Sequence, residues 1–462
     1  MIFDGYIFLS TDRSVPFHFE NGYLELFLGN SPFSFEDNTT TLIGQKRSMM
    51  TGGYILFHLS TPIQNFGVAH KRIDGEIKKI PISIGTRRMA VNFYIDKYEE
   101  KTIYTKLKFS FSELDYFIPS SGICNFDLEE KRLEFMGSPI VLKSFTFEYR
   151  GRIVSFSLVI SSAYNLGKKS IAETESHLIL EFDGTDDLEF LGALYFLIHN
   201  LFSFLCNRQN IGINSVNLRG KNFLKTKIGS EEDGVLVDKE IPISSTFFVL
   251  NKYKDAPEDL KIIKETIPFN ILEPSFENLF SLFLENKISV KSIHSSIKAR
   301  SLLDLKQSLH ISAAFEYYQR TYLPEISSAE TIQVIQEVRT LIEEYASTKT
   351  GEMKKKARSL LRSIRPTVSL EDKICKVYNG YKEWEGLSFI LSEYYGDDVS
   401  KLAGIANEWR NELAHEKREY TPDIDVFSSV SLLEHLNYCI VLRNAGYSDE
   451  NIKIIVDKIL VH

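Results

Sequence analysis

"YKDAPEDLKIIKETIPFNILEPS", residues 253 to 275, is where the chain changes its period. Before it, apolar residues come in short alternating runs: YLELFLG (23–29), GYILFHLS (53–60), RMAVNFYID (88–96), TIYTKLKFSFS (102–112), FTFEYRGRIVSFSLVI (145–160) and HLILEF (177–182). They are rich in β-branched and aromatic residues, the signature of strands joined by turns. After it, apolar residues recur every three and four positions, as amphipathic helices require. ENLFSLFLEN (277–286), SLLDLKQSLHISAAFEYYQRTYL (301–323), TIQVIQEVRTLIEEYAS (331–347) and EMKKKARSLLRSI (352–364) all follow that rule. The stretch therefore predicts an α+β chain of two domains. A β-rich, sandwich-like domain with one packed helix, near 187–208, occupies 1–272, and an all-α helical bundle occupies 273–462. Further strands are expected around Ile211–Leu218 and Pro242–Leu250. No repeat at solenoid periods is apparent.

Totals narrow the function. A chain of 462 residues can bury two or three cores. Its net charge of −8 counts against a grip on nucleic acid by the whole surface, while leaving room for a local basic site. Cys124, Cys206, Cys375 and Cys439 form no C-x-x-C pair, which argues against a zinc knuckle or disulfide framework and fits a reducing cytoplasm. MIFDGYIFLSTDR carries its charges after the apolar run, so it does not read as a signal peptide. FLGALYFLIHNLFSFLC (190–206) is slightly short for a membrane span and contains His199 and Asn200, so a buried helix is expected and no membrane partner. The β-rich half shows no Gly-rich phosphate loop, nucleophile elbow or close His/Asp/Glu cluster. No metal or cofactor is expected.

The chemistry concentrates in EWRNELAHEK, 408–417. A helix beginning near Asp398 would bury Val399, Leu402, Ile405, Ala406, Trp409 and Leu413 as one stripe. At about 100° per residue, Asn411 and His415 fall roughly 40° apart on the other side, with Arg410 about 140° from His415 on the flank. Arg13 and His18 share the five-residue spacing, but Pro16 between them forbids a helix there. A merely solvated polar face is the competing reading of these residues.

Arg410, Asn411 and His415, on a helix late in an all-α domain, resemble the R-x4-H motif of HEPN ribonucleases, which carries a polar residue after the Arg. SAAFEYYQRTYLP (312–324) resembles the early HEPN helix with a Glu in an apolar-aromatic face. SLLEHLNYCIVLRNAGYS (431–448) resembles the helix after the motif helix. With FSELDYF (111–117) and LFSFLCNRQNIGI (201–213) upstream, the arrangement resembles the ApeA type of antiphage defence protein, an ApeA N-terminal domain followed by an Apea-like HEPN domain. The resemblance implies a ribonuclease acting in abortive infection, with the β-rich half as sensor or inhibitory module and a phage-derived trigger. It also implies host RNA, tRNA loops among the candidates, as substrate. Finally, it implies a homodimer, or an assembly of dimers, in which two motif helices face each other.

The residue types suit that reaction. RNA supplies its own nucleophile, the 2′-OH, so a metal-free enzyme needs only proton transfer and positive charge. Imidazole titrates nearest neutral pH, which makes His415 the proton-transfer group. Arg410 stabilises charge on the phosphorane, and Asn411 orients His415 or holds a phosphate oxygen. Products would be a 2′,3′-cyclic phosphate and a 5′-OH. The resemblance sets Glu316 against the motif helix, where it would pair with Arg410 or Arg320; an ordinary bundle ion pair is the alternative. Lys354, Arg358, Arg362 and Arg365 recur at one helical face in KKKARSLLRSIRP (354–366), a stripe for RNA phosphates or simply a solvated face. His18, His58, His70, His177, His294, His310 and His435 receive no role. Two rivals stand beside the nuclease: a non-catalytic bundle that dimerises or binds nucleotide or RNA, and a carbohydrate- or peptide-binding β half with the helices as scaffold.

Overall fold

The computed structural model describes all residues except 1, 11–12, 34, 36–38, 48–52, 66, 74–75, 119–123, 128–131, 136–138, 165–171, 214, 229–234, 251–265, 325–328, 365–367, 382, 416–421 and 460–462. Much of the stretch where the period changes thus lies outside the described residues. The chain forms two compact units: Met1–His199 with Asn210–Lys264, and Asn200–Gln209 with Glu265–His462. The division reflects one helix, Leu188–Leu205, whose final residues belong to the second unit. Composition alone would let that helix cross a membrane, yet most of it is buried in the fold.

Among the described residues, the first unit is dominated by one antiparallel sheet of thirteen strands where a sandwich-like domain was expected. The strands are β1 (Ile2–Ser10), β2 (Arg13–Glu20), β3 (Tyr23–Phe33), β4 (Thr41–Lys46), β5 (Tyr54–Leu59), β6 (Gly67–Ile73), β7 (Glu76–Tyr98), β8 (Ile103–Phe109), then β11 (Ile140–Tyr149), β12 (Arg152–Tyr164), β13 (Ala172–Thr185), β14 (Val216–Ile228) and β15 (Val235–Val249), with β9 (Cys124–Asp127) and β10 (Arg132–Phe135) a separate hairpin. Because β5 pairs with both β4 and β7, strands β7-β3-β2-β1-β4-β5 close on themselves as a six-stranded barrel. Alternation fills it. Val15, Phe17 and Phe19 of β2 point inward, and Phe57 meets Phe17, Phe19 and Tyr94 at ring-centroid distances of 5.3, 5.5 and 6.0 Å. Asn21 and Gly22, both at positive φ, make the tight β2–β3 turn. Gly5 has no alternative, since a Cβ there would sit 2.1 Å from the Gln45 carbonyl oxygen across the β1–β4 seam.

Beyond the barrel, β15, β14, β8, β13, β12 and β11 extend the sheet. The first turns of Leu188–Leu205 cover it, with Phe190 on Phe182 and Tyr195 on Phe247 at 5.3 and 6.1 Å. The packed helix is therefore present. Of the strand expected at Ile211–Leu218 only Val216–Leu218 is strand, the start of β14, and the one expected at Pro242–Leu250 is the end of β15 as far as Val249.

The second unit is helical. Its centre is Ile424–Asn444, apolar on nearly every side and buried along most of its length, as a core helix must be. Helix Leu305–Tyr322 lies against it through Ile311, Ala314, Phe315 and Tyr318, and Asn437 donates to the Ile311 carbonyl at 3.1 Å. Helices Leu370–Asn379 and Ser400–Ala414 complete the bundle, and Asp449–Ile459 closes it. Between Leu305–Tyr322 and Leu370–Asn379 stands a helical hairpin, Ala329–Thr348 and Gly351–Ser363, whose two helices pack mainly on each other.

Candidate functional site

The motif helix spans Ser400–Ala414, starting two residues after Asp398, whose Oδ1 accepts the Ser400 N–H at 2.8 Å. Its buried stripe is narrower than expected. Val399, Ala403, Ala406 and Trp409 are buried, while Leu402, Ile405 and Leu413 remain half-exposed. His415 is the residue on which the helix stops: its N–H returns to the carbonyls of Asn411 and Glu412 at 3.1 and 3.3 Å, and its side chain is exposed.

Arg410 does not hang free on the flank. Its Nη2 donates to Glu316 Oε2 at 3.0 Å and its Nη1 to Asn411 Oδ1 at 3.1 Å. The carboxamide oxygen of Asn411 is thus turned to Arg410, not to His415. Lys373 takes the other carboxylate oxygen, with Nζ 3.0 Å from Glu316 Oε1. Glu316 comes from Leu305–Tyr322, and Lys373 from a helix capped by Ser369, which accepts the Asp372 N–H at 3.0 Å. Three helices therefore meet at one carboxylate. Burial by itself would raise the Glu316 carboxyl, but the ammonium of Lys373 and the guanidinium of Arg410 outweigh it and hold the group below its ordinary value.

Two cations on one carboxylate leave a net charge of about +1 in this corner. A guanidinium has five N–H donors; Glu316 and Asn411 engage one on each terminal nitrogen, so others stay available to an anion. Arg410 is fixed but not used up. Lys373 was not legible beforehand, because nothing local in LEDKICKVYN points to a carboxylate 57 residues earlier in the chain.

The remaining sequence candidates fall elsewhere. Arg320 lies one turn past Glu316 and is exposed. Lys354 is half-exposed and Arg358 exposed on the second hairpin helix; the side chain of Arg362 and all of Arg365 lie outside the described residues. A second ionic cluster escaped the sequence. Glu434 is buried with Asn207 Nδ2 at 2.7 Å, His294 Nε2 at 3.7 Å and Arg300 Nε at 3.9 Å. Burial again opposes its charge, and Arg300 with His294 overcomes that, so its carboxyl lies well below the usual range. This cluster ties residues 200–209 to the helices, and the cavity that Glu434 lines among the described residues measures only about 10 Å³.

Compared with known proteins, the chain matches no family model, no curated protein and no solved structure.

Proposed function

We propose that the chain is a metal-independent endoribonuclease of the HEPN type, acting in the cytoplasm as an abortive-infection effector against phage. The observation that carries this reading is the clamp on Arg410. A helix that ends on an exposed imidazole also holds, five residues earlier, a guanidinium fixed by a carboxylate from a second helix. A merely solvated face would leave its Arg mobile.

In this reaction His415 removes the proton of a ribose 2′-OH. The 2′-oxygen attacks the adjacent phosphorus, and the bond from phosphorus to the 5′-oxygen breaks. A second protonated imidazole gives its proton to that leaving oxygen, yielding a 2′,3′-cyclic phosphate and a 5′-OH. One chain carries one His415, so the counterpart in a second copy supplies the acid, and the active form is a homodimer. Arg410, oriented by Glu316, stabilises the charge that grows on the phosphoryl oxygens. Asn411 keeps the guanidinium plane in place. Unpaired loops, in which a 2′-OH can line up behind its phosphate, are the substrate class, tRNA loops among them. Lys354 and Arg358 give the RNA backbone a basic track, and the β-rich unit acts as the sensor of a phage-derived trigger.

The test is sequencing of RNA ends from cells expressing the wild type, His415→Ala or Arg410→Ala. New 2′,3′-cyclic phosphate ends in the wild type alone are expected. Identical ends in all three would refute the nuclease and favour a bundle that only binds.

A further inference from the structure

Among the described residues β6 pairs with β7 alone, from Gly67 opposite Ile82 to Ile73 opposite Glu76, and β7 meets its barrel neighbour β3 only from Ser83 onward. Residues 67–82 are therefore a two-stranded arm carried past the edge of the barrel. Its seven paired positions, at about 3.3 Å each, make it roughly 23 Å long. Val68 and Ile77 are 56% and 71% exposed, and His70, Arg72, Glu76, Lys78 and Lys79 are exposed as well.

Charge collects on this arm. Lys71, Arg72, Lys78 and Lys79 outnumber Asp74 and Glu76 at its turn, a net of +2 in a chain whose total is −8. The register does nothing to offset the excess: Lys78 stands opposite Lys71, and Lys79 opposite His70. Like charges directly across a strand pair weaken it, and a hairpin of two strands is marginal to begin with. A local rule broken in this way, with no packing gain among the described residues, marks a surface kept for a ligand, and the ligand is a polyanion.

The shape of that polyanion follows from the alternation. Lys78 and Lys79 are neighbours on one strand, so they leave it on opposite faces. The Lys79 face also carries Arg72, His70 and the exposed Val68 and Ile77; the Lys78 face carries Glu76 near the turn. A flat anionic layer, such as lipid headgroups, would meet one face and leave the cation on the other unanswered. A groove walled by two phosphate chains meets both. We infer that the arm binds double-stranded DNA, lying in the major groove with Lys78 and Lys79 on phosphates of opposite walls. The B-form major groove, about 12 Å wide, admits a two-stranded ribbon, whereas that of A-form RNA is too narrow for side chains to enter. Val68 and Ile77 suit the thymine methyl groups exposed there. The inference does not rest on the nuclease reading and stands even if no RNA is cut.

The experiment titrates the full chain into a labelled duplex DNA of about 20 base pairs, followed by fluorescence anisotropy between roughly 50 and 200 mM salt. The wild type is compared with Lys78→Glu/Lys79→Glu and Lys78→Gln/Lys79→Gln. Each lost phosphate contact flattens the dependence of log K on log salt by about 0.9, so both variants should lose about 2 from the slope, and the Glu pair at least about tenfold in affinity. Lys78→Glu sets an acid opposite Lys71, which strengthens the strand pair; thermal melts no lower than wild type are expected, so weaker binding is not lost folding. Single-stranded DNA, duplex RNA and phosphatidylserine vesicles serve as competitors and should each displace the duplex poorly. A wild type that binds no duplex DNA at the lowest salt, or a double variant that binds it unchanged, overturns the inference. So does a wild type that prefers vesicles, single strands or duplex RNA.

Discussion

Replacing Glu316 by Gln keeps the shape of the clamp and removes its charge. In the wild type the carboxylate holds Arg410 and Lys373 at 3.0 Å each, through different oxygens, with its own side chain 29% exposed. Pairs this open to solvent are worth about 0.2–1 kcal/mol apiece. Two of them, with the repulsion between the cations left facing each other, put the expected loss at about 1–2 kcal/mol. The sign with pH follows from the lowered carboxyl. A group whose folded-state value lies below its unfolded value of 4.5 stabilises fully above the unfolded value and loses that contribution as pH falls through the folded one. Urea unfolding of wild type and Glu316→Gln, followed by helix signal, should therefore differ by a constant amount from about pH 6 upward and converge in strong acid. On the proposed ribonuclease reading the variant should also lower kcat with little change in KM, because Arg410 would lose its orientation toward the transition state and not its contact with bound RNA. Equal stability at every pH together with an unchanged kcat would refute the claim that Glu316 positions Arg410.

Other consequences are independent of that clamp. His415→Ala should abolish RNA cleavage while shifting stability by no more than about 0.5 kcal/mol, since the side chain is exposed; a thermal melt and a cleavage assay check the two halves. A 2′-deoxy nucleotide at the cut site should block cleavage without weakening binding, measured by competition with the parent RNA. Glu434→Ala removes the buried carboxylate that faces Arg300 and His294 and accepts from Asn207, and should cost about 3–5 kcal/mol at neutral pH, seen as a lower urea midpoint for the helical unit. Phe57→Ala empties the middle of the barrel and should cost about 3–5 kcal/mol, read from amide exchange along β2 and β7.

What the residues disclosed in advance was local. Alternation in GYILFHLS and RMAVNFYID marks strands because side chains on a pleat point to opposite faces, and the spacing of Arg410, Asn411 and His415 can be plotted on one helix. Closure of the barrel could not be read, because it depends on β5 finding β7 as well as β4, a choice made by three-dimensional fit among many alternating strands. The same holds for Lys373, which reaches Glu316 only once three helices have converged. Leu402, Ile405 and Leu413 also mislead as a buried stripe, since periodicity tells which side of a helix is apolar and not how much of it a neighbour will cover.

Strand β7 runs for 23 residues and pairs with β6 and β3 along its earlier part and with β5 and β15, one on each edge, along its later part. One continuous ribbon thus serves as a wall of the closed cylinder and as a rib of the open blade beyond it. A slip of a single residue along it would turn inside out the faces of both at once. The two parts are therefore expected to melt together, and an insertion anywhere between Glu76 and Tyr98 should be tolerated by neither.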